Sequence, residues 1–220
     1  MSKKNSGIFA EMVNALSALR FAKARDPKLS RLDFGVLKVA MMVAALDGEV
    51  LPQEVEAFGV LAKKCRGYGV KSFRDVRESA FRSAGYIALL AQHGTRDELL
   101  SAFLAEAVAA LPDGFAYGKL ADVRRAFVTW IALGVSDGNY SDVERTAIEA
   151  LRRALAEIKR SHSVEQFERS AMLSPTFRQA AGSKPRMARI VLVDDAFLDK
   201  AEKLVKNPSE AEISALVFGE

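Results

Sequence analysis

Two stretches decide the fold: MMVAALDGEVLPQE at Met41–Glu54 and IALGVSDGNYSDVE at Ile131–Glu144, which match at an offset of 90 residues. Each closes an apolar run with Asp-Gly (Asp47-Gly48, Asp137-Gly138). Each sets Val50 or Tyr140 three positions after the Asp, and Glu54 or Glu144 seven positions after it. The runs leading in, about residues 32–46 and 119–135, are apolar nearly throughout. A helix apolar on all sides is buried on all sides, so both runs are predicted to lie at the centre of a bundle. Pro52 suits the first position of the next helix, where its missing N–H costs nothing, and Ser141 suits the start of its counterpart. A helix–turn–helix unit used twice predicts two related halves.

Helical periodicity continues outward on both sides. Phe9, Met12, Leu16 and Leu19 make an apolar stripe ending at Asp26-Pro27, and Val55, Phe58, Leu61 and Cys65 make another that stops at Gly67 and Gly69. Ser72 opens a long helix closed by His93-Gly94. Thr95 with Glu98 forms a capping box ahead of Leu99, Phe103 and Ala107, and Pro112-Asp113-Gly114 reads as a turn. After Ser141, one helix is predicted to about residue 158, and a second, capped by Ser163 and Gln166, to run up to Ser174-Pro175. Gly182–Pro185 reads as a hinge. Arg189–Val193 (RIVLV) looks strand-like, yet one strand cannot make a sheet, so residues 186–206 are expected to be mainly helical. A last amphipathic helix follows Asn207-Pro208. The prediction is an all-α helical bundle of two related halves over residues 1–160, with a helical C-terminal extension over 161–220.

Half of the 220 residues are hydrophobic and 27% are charged, ample for a real core and unlike a disordered chain. One cysteine, Cys65, excludes an intrachain disulfide, and its apolar face predicts core packing. Near the N-terminus, Glu11, Asn14 and Arg20 interrupt what would be a signal h-region, and no run reaches the length of a bilayer span. A soluble, cytoplasmic protein is expected. Neither His93 nor His162 belongs to a recognisable Ser, Cys or acid arrangement that would make a triad. There is no GxGxxG, P-loop or zinc spacing, so catalysis is not expected.

The repeated turn carries the chemistry. Asp47 and Asp137 follow helix C-termini, where aligned dipoles already place about half a negative charge. With Glu54 and Glu144 they would gather four carboxylates, which must protonate or find a counter-charge. A hard divalent cation, Ca²⁺ or Mg²⁺, accepts such oxygen ligands. Gly48 and Gly138 permit the left-handed turn that aims backbone oxygens inward. The spacing matches the second half of an EF-hand loop. Val43 and Ala45, or Leu133 and Val135, stand where its first half needs oxygens, so the site must be shared between the copies. The plainer alternative is ordinary Asp-Gly turn chemistry. Ser141 with Glu144 also makes a capping box, but Leu51 offers Glu54 no capping oxygen.

The segments LDGEVLPQE and SDGNYSDVE resemble the two signature segments of tellurite-resistance protein B (TerB-like) domains, over about residues 15–158. The resemblance implies an all-helical fold of two similar halves and a metal cluster from Asp47, Glu54, Asp137 and Glu144. It also implies a non-enzymatic role in stress or metal response beside membrane-associated protein partners. The second copy departs from the family pattern at Asn139-Tyr140, where an acid and an aliphatic residue are usual.

Basic residues form two concentrations. Nine stand against three acids over 152–189, and Lys63, Lys64, Arg66, Lys71, Arg74, Arg77 and Arg82 stand against Asp75 and Glu78. Without interleaved aromatics or a recognition helix they read as solvated faces rather than nucleic-acid contacts. They do supply the alternative function, a metal-free helical adaptor that uses basic faces to bind an acidic protein or nucleic acid.

Overall fold

A computed structural model describes residues 28–64, 70–111, 115–117, 119–173, 189–207 and 209–218. Within them lie eight α-helices and no β-strand. The helices are α1 (Lys28–Ala44), α2 (Pro52–Lys64), α3 (Val70–His93), α4 (Arg96–Ala110), α5 (Leu120–Gly134), α6 (Asp142–Leu173), α7 (Asp195–Lys206) and α8 (Glu210–Phe218), with 3-10 turns at Phe115–Tyr117 and Arg189–Leu192. The N-terminal stripe Phe9–Leu19, Cys65, Gly67 and Gly69, the Pro112–Gly114 turn, Ser174-Pro175 and the Gly182–Pro185 hinge lie outside the described residues.

The two apolar helices are central, as the sequence predicts. Val39–Leu46 of α1 and its turn are at most 1% exposed, and so is Ala126–Leu133 of α5 apart from Thr129 at 3%. They pack against each other, and each collects its own followers: α2, α3 and α4 touch α1, whereas α6, α7 and α8 touch α5. The partners also cross, since α6 reaches α1 and α2 reaches α5. Trp130 seals the central contact. Its indole Nε1 donates to Val36 O at 3.0 Å, and its ring lies edge-on to Phe127 with centroids 4.7 Å apart. Gly35 lets α1 close on the end of α4, because a Cβ there would collide with Ala110 O. Above that contact, Glu106 of α4 pairs with Lys38 of α1 at 3.2 Å and accepts from Ser83 Oγ of α3 at 3.0 Å.

The capping box before α4 is present: Thr95 N donates to Glu98 Oε2 at 2.8 Å and Glu98 N donates to Thr95 Oγ1 at 3.3 Å. Two readings of the C-terminal third need adjustment. First, α6 runs unbroken from Asp142 to Leu173, through the break expected near 160, because no Gly or Pro intervenes. Second, RIVLV closes on itself as a 3-10 turn, with Val193 N donating to Ile190 O at 2.9 Å. Ile190 and Val193 are fully buried, which explains its apolar character without a sheet. The described part of the C-terminal extension shares the main core. Phe197, Ala201, Val205, Ile213 and Val217 belong to the same buried cluster as α1 and α5. Arg152 and Arg145 of α6 pair with Asp195 and Glu202 of α7.

Candidate functional site

The last helical turn of α1 tightens into i→i+3 bonds, with Leu46 N donating to Val43 O at 3.1 Å and Gly48 N to Ala45 O at 3.2 Å. After α5 the same bonds recur, Ser136 N to Leu133 O at 3.1 Å and Gly138 N to Val135 O at 2.8 Å. Among the described residues only Gly48 (φ +97°) and Gly138 (φ +95°) have positive φ. An L side chain is disfavoured there by contact between Cβ and the backbone, which is why glycine stands at both. The left-handed step reverses the chain. Each Asp then accepts from the amide two residues on: Asp47 Oδ1 from Glu49 N at 3.1 Å, Asp137 Oδ1 from Asn139 N at 2.7 Å.

Seven residues after each Asp, the glutamate turns back over the first turn of its helix. Glu54 Oε2 accepts from Leu51 N and Glu144 Oε2 from Ser141 N, both at 2.7 Å. At Ser141 the box is complete, because its Oγ accepts from Glu144 N at 3.2 Å. Leu51 has no side-chain oxygen to return the bond. Glu54 nevertheless makes the carboxylate half of the cap, so local capping accounts for one oxygen of each glutamate. No described residue donates to either Oε1.

Burial makes this costly. Glu54 and Glu144 are 2% and 3% exposed, whereas Asp47 is exposed and Asp137 half-buried. Loss of water raises the Glu54 carboxyl to about 8, opposed by the Leu51 amide and reinforced by the charges of Asp47, Asp137 and Glu144. Glu144 is likewise raised to about 8, by burial first and by the charges of Asp137 and Asp47, against the Ser141 amide and hydroxyl. Asp47 is raised too, by partial burial and then by Asp137. The charge of each half is therefore felt in the other, and the four predicted carboxylates occupy one electrostatic neighbourhood where α1 and α5 end. Among the described residues no Lys, Arg or His forms an ion pair with any of the four.

The donor set is hard oxygen, with one undonated oxygen on each buried glutamate, and so suits Ca²⁺ or Mg²⁺ rather than a soft metal. The side chains as placed do not yet converge: among the described residues no three of His, Cys, Asp or Glu are grouped to hold an ion. The chemistry open to this centre is exchange of protons for a cation.

Two neighbours were not anticipated. Gln92, at the end of α3, donates through Nε2 to Gly48 O and so ties α3 to the first turn. Its helix reads as a separate amphipathic element, and nothing in its periodicity marks that contact. Gly134, in the last turn of α5, lies directly under the Glu144 carboxylate. The aligned position in the first copy is Ala44, and that both are small was a legible signal. Beside the second turn, Tyr140, Arg145 and Glu202 line a small pocket between α6 and α7, with the Arg145 guanidinium 5.6 Å from the Tyr140 ring centroid. Burial, with the charges of Glu144 and Glu202, holds the Tyr140 hydroxyl protonated well above its usual range.

No described helix is long and apolar enough to cross a membrane. No protein-family model, curated protein or solved structure matches the chain.

Proposed function

We propose that this protein is a non-enzymatic, divalent-cation-binding interaction module of the TerB-like kind, associated with stress or metal response in the cytoplasm. In this reading the two helix–turn–helix copies are related halves. Asp47, Glu54, Asp137 and Glu144 ligate Ca²⁺ or Mg²⁺, while Gly48 and Gly138 shape the turns. One observation carries the proposal: two buried glutamates, each with an oxygen to which no described residue donates, feel the charges of two aspartates, and among the described residues no cationic side chain pairs with any of the four. A structure that needed only capping would keep such glutamates at the surface, where capping boxes work equally well; Glu98 is one. Burying carboxylates together opposes folding unless protons or a cation neutralise them. A cation that draws the four side chains inward would fix how α2 and α6 leave the central pair, and so the outer surface presented to a protein partner.

Thermal unfolding tests the proposal. A ligand at 100 times its dissociation constant adds about 2.7 kcal/mol, worth about 5–10 °C for a domain of this size. Millimolar Ca²⁺ or Mg²⁺ at pH 8 is expected to raise the melting temperature by that order, and Asp47→Asn with Asp137→Asn to abolish the rise. An unchanged wild-type melt would leave the glutamates as neutral buried acids. It would also favour the metal-free adaptor working through exposed Arg77 and Arg82 on α3.

A further inference from the structure

The geometry points to Gly134 as a positioning residue that makes the two half-sites unequal, by giving the Glu144 carboxylate room to lie across the end of α5. This inference rests on the cation reading above for its functional meaning, but not for its steric content. A Cβ built at Gly134 would fall 2.8 Å from Glu144 Oε1, 3.4 Å from Glu144 Cδ and 3.3 Å from Val43 Cγ1 on α1. The first distance is shorter than real Cβ contacts allow, and the third leaves little room to shift toward α1. Glu144 cannot simply swing away, because it is 3% exposed and its Oε2 is held by Ser141 N at 2.7 Å. The oxygen that meets Gly134 is the one to which no described residue donates. It is therefore the oxygen available to a ligand, and the missing methyl sets its position.

In the first copy the aligned residue is Ala44, fully buried and bearing the methyl that Gly134 lacks. The halves thus share turns, hydrogen bonds and acids but differ at the small residue ten positions before the glutamate, Ala44 in one and Gly134 in the other. Nothing in the backbone asks for glycine at 134: the residue is helical, without positive φ, in the last turn of α5. Replacing such a glycine by alanine ordinarily stabilises a protein, by reducing the freedom of the unfolded chain. A glycine kept at that position against its own helix propensity is explained by the carboxylate above it.

The test compares Gly134→Ala with the mirror variant Ala44→Gly, using Ca²⁺ alone as the probe. In EDTA, helix propensity predicts that Gly134→Ala melts a few degrees higher than wild type. The steric account predicts that it melts lower, and that adding Glu144→Asp, one methylene shorter, recovers the loss. Where the wild type binds Ca²⁺, Gly134→Ala is expected to weaken binding about tenfold or more by calorimetry, and Ala44→Gly to change it less than about threefold. Gly134→Ala melting above wild type, or a melting loss that Glu144→Asp does not recover, overturns the inference whatever the metal result. Unchanged affinity in Gly134→Ala overturns the positioning role while leaving the cation site standing. A wild type that ignores Ca²⁺ overturns the cation reading, and with it the functional half of this inference.

Discussion

Removing the two buried glutamate charges should abolish a steep pH dependence of stability. Glu54 and Glu144 carry folded-state pKa values of about 8, against an ordinary 4.5. Between those limits the folded chain holds protons that the unfolded chain has released, so stability is full below about pH 4.5 and declines as pH rises toward 8. The slope is about 1.4 kcal/mol per pH unit for each glutamate, or nearly 3 kcal/mol per unit while both hold their protons. Each carboxylate resists ionisation of the other, so the protons leave in succession and the decline flattens above pH 8. Glu98 and Glu106 are shifted the opposite way, downward, and their contribution is lost only below about pH 4.5, outside this window. Glu54→Gln with Glu144→Gln keeps an amide oxygen to accept the Leu51 and Ser141 N–H bonds but cannot ionise. Urea unfolding in EDTA from pH 5.5 to 7.5 should show wild type losing several kcal/mol while the double variant stays nearly flat and is the more stable protein at pH 7.5. Adding Ca²⁺ should restore wild type at high pH and leave the variant unmoved. Parallel curves for the two proteins would refute the reasoning, because they would mean that neither glutamate is charged at a cost in the fold.

Cation binding at pH 7 should release one to two protons, detectable by calorimetry in buffers of different ionisation enthalpy, and affinity should rise about tenfold per pH unit for each proton displaced. Gly48→Ala and Gly138→Ala should each cost about 1–2 kcal/mol from the left-handed backbone, seen as lower urea midpoints. Gly48→Ala should be the worse of the two, because its Cβ meets Gln92 Cγ at 3.2 Å. Trp130→Phe leaves Val36 O without its buried donor and opens space beside Phe127, for a loss of about 2–4 kcal/mol. Circular dichroism of the unfolding transition measures it; no change would remove the indole from its place at the α1–α5 contact.

The helices that dominate the core were legible because each holds a long, nearly unbroken apolar run: one such as Val39–Leu46 can only be satisfied at a centre. The candidate site was legible because its pattern is written twice. One Asp-Gly is turn chemistry, but two at matched distances before a glutamate made a pattern, and both turns form the same hydrogen bonds. What escaped reading depended on contacts far apart in sequence or on signals with two meanings. Arg160–Ser163 looked like a boundary because Ser163 and Gln166 can cap, yet capping residues start a helix only where something stops the one before, and nothing does. RIVLV has strand composition because Ile190 and Val193 are buried, and burial favours the same residues in a 3-10 turn. The capping role of Glu54 is hidden in the sequence because Leu51 lacks the hydroxyl that marks a full box; the Glu54 carboxylate makes the other half with Leu51 N. Gly134 passed as one more small residue in an apolar helix, since its role lies in an oxygen that arrives from α6.

Crystals grown with Mn²⁺, which shares the carboxylate preference of Mg²⁺ and Ca²⁺, would show by anomalous scattering where a divalent ion rests. The account predicts one dominant peak at the ends of α1 and α5, about 2.0–2.6 Å from oxygens of Glu54 and Glu144. Peaks confined to surface acids such as Asp195 and Asp199, with both glutamates still turned onto their own helices, would contradict it.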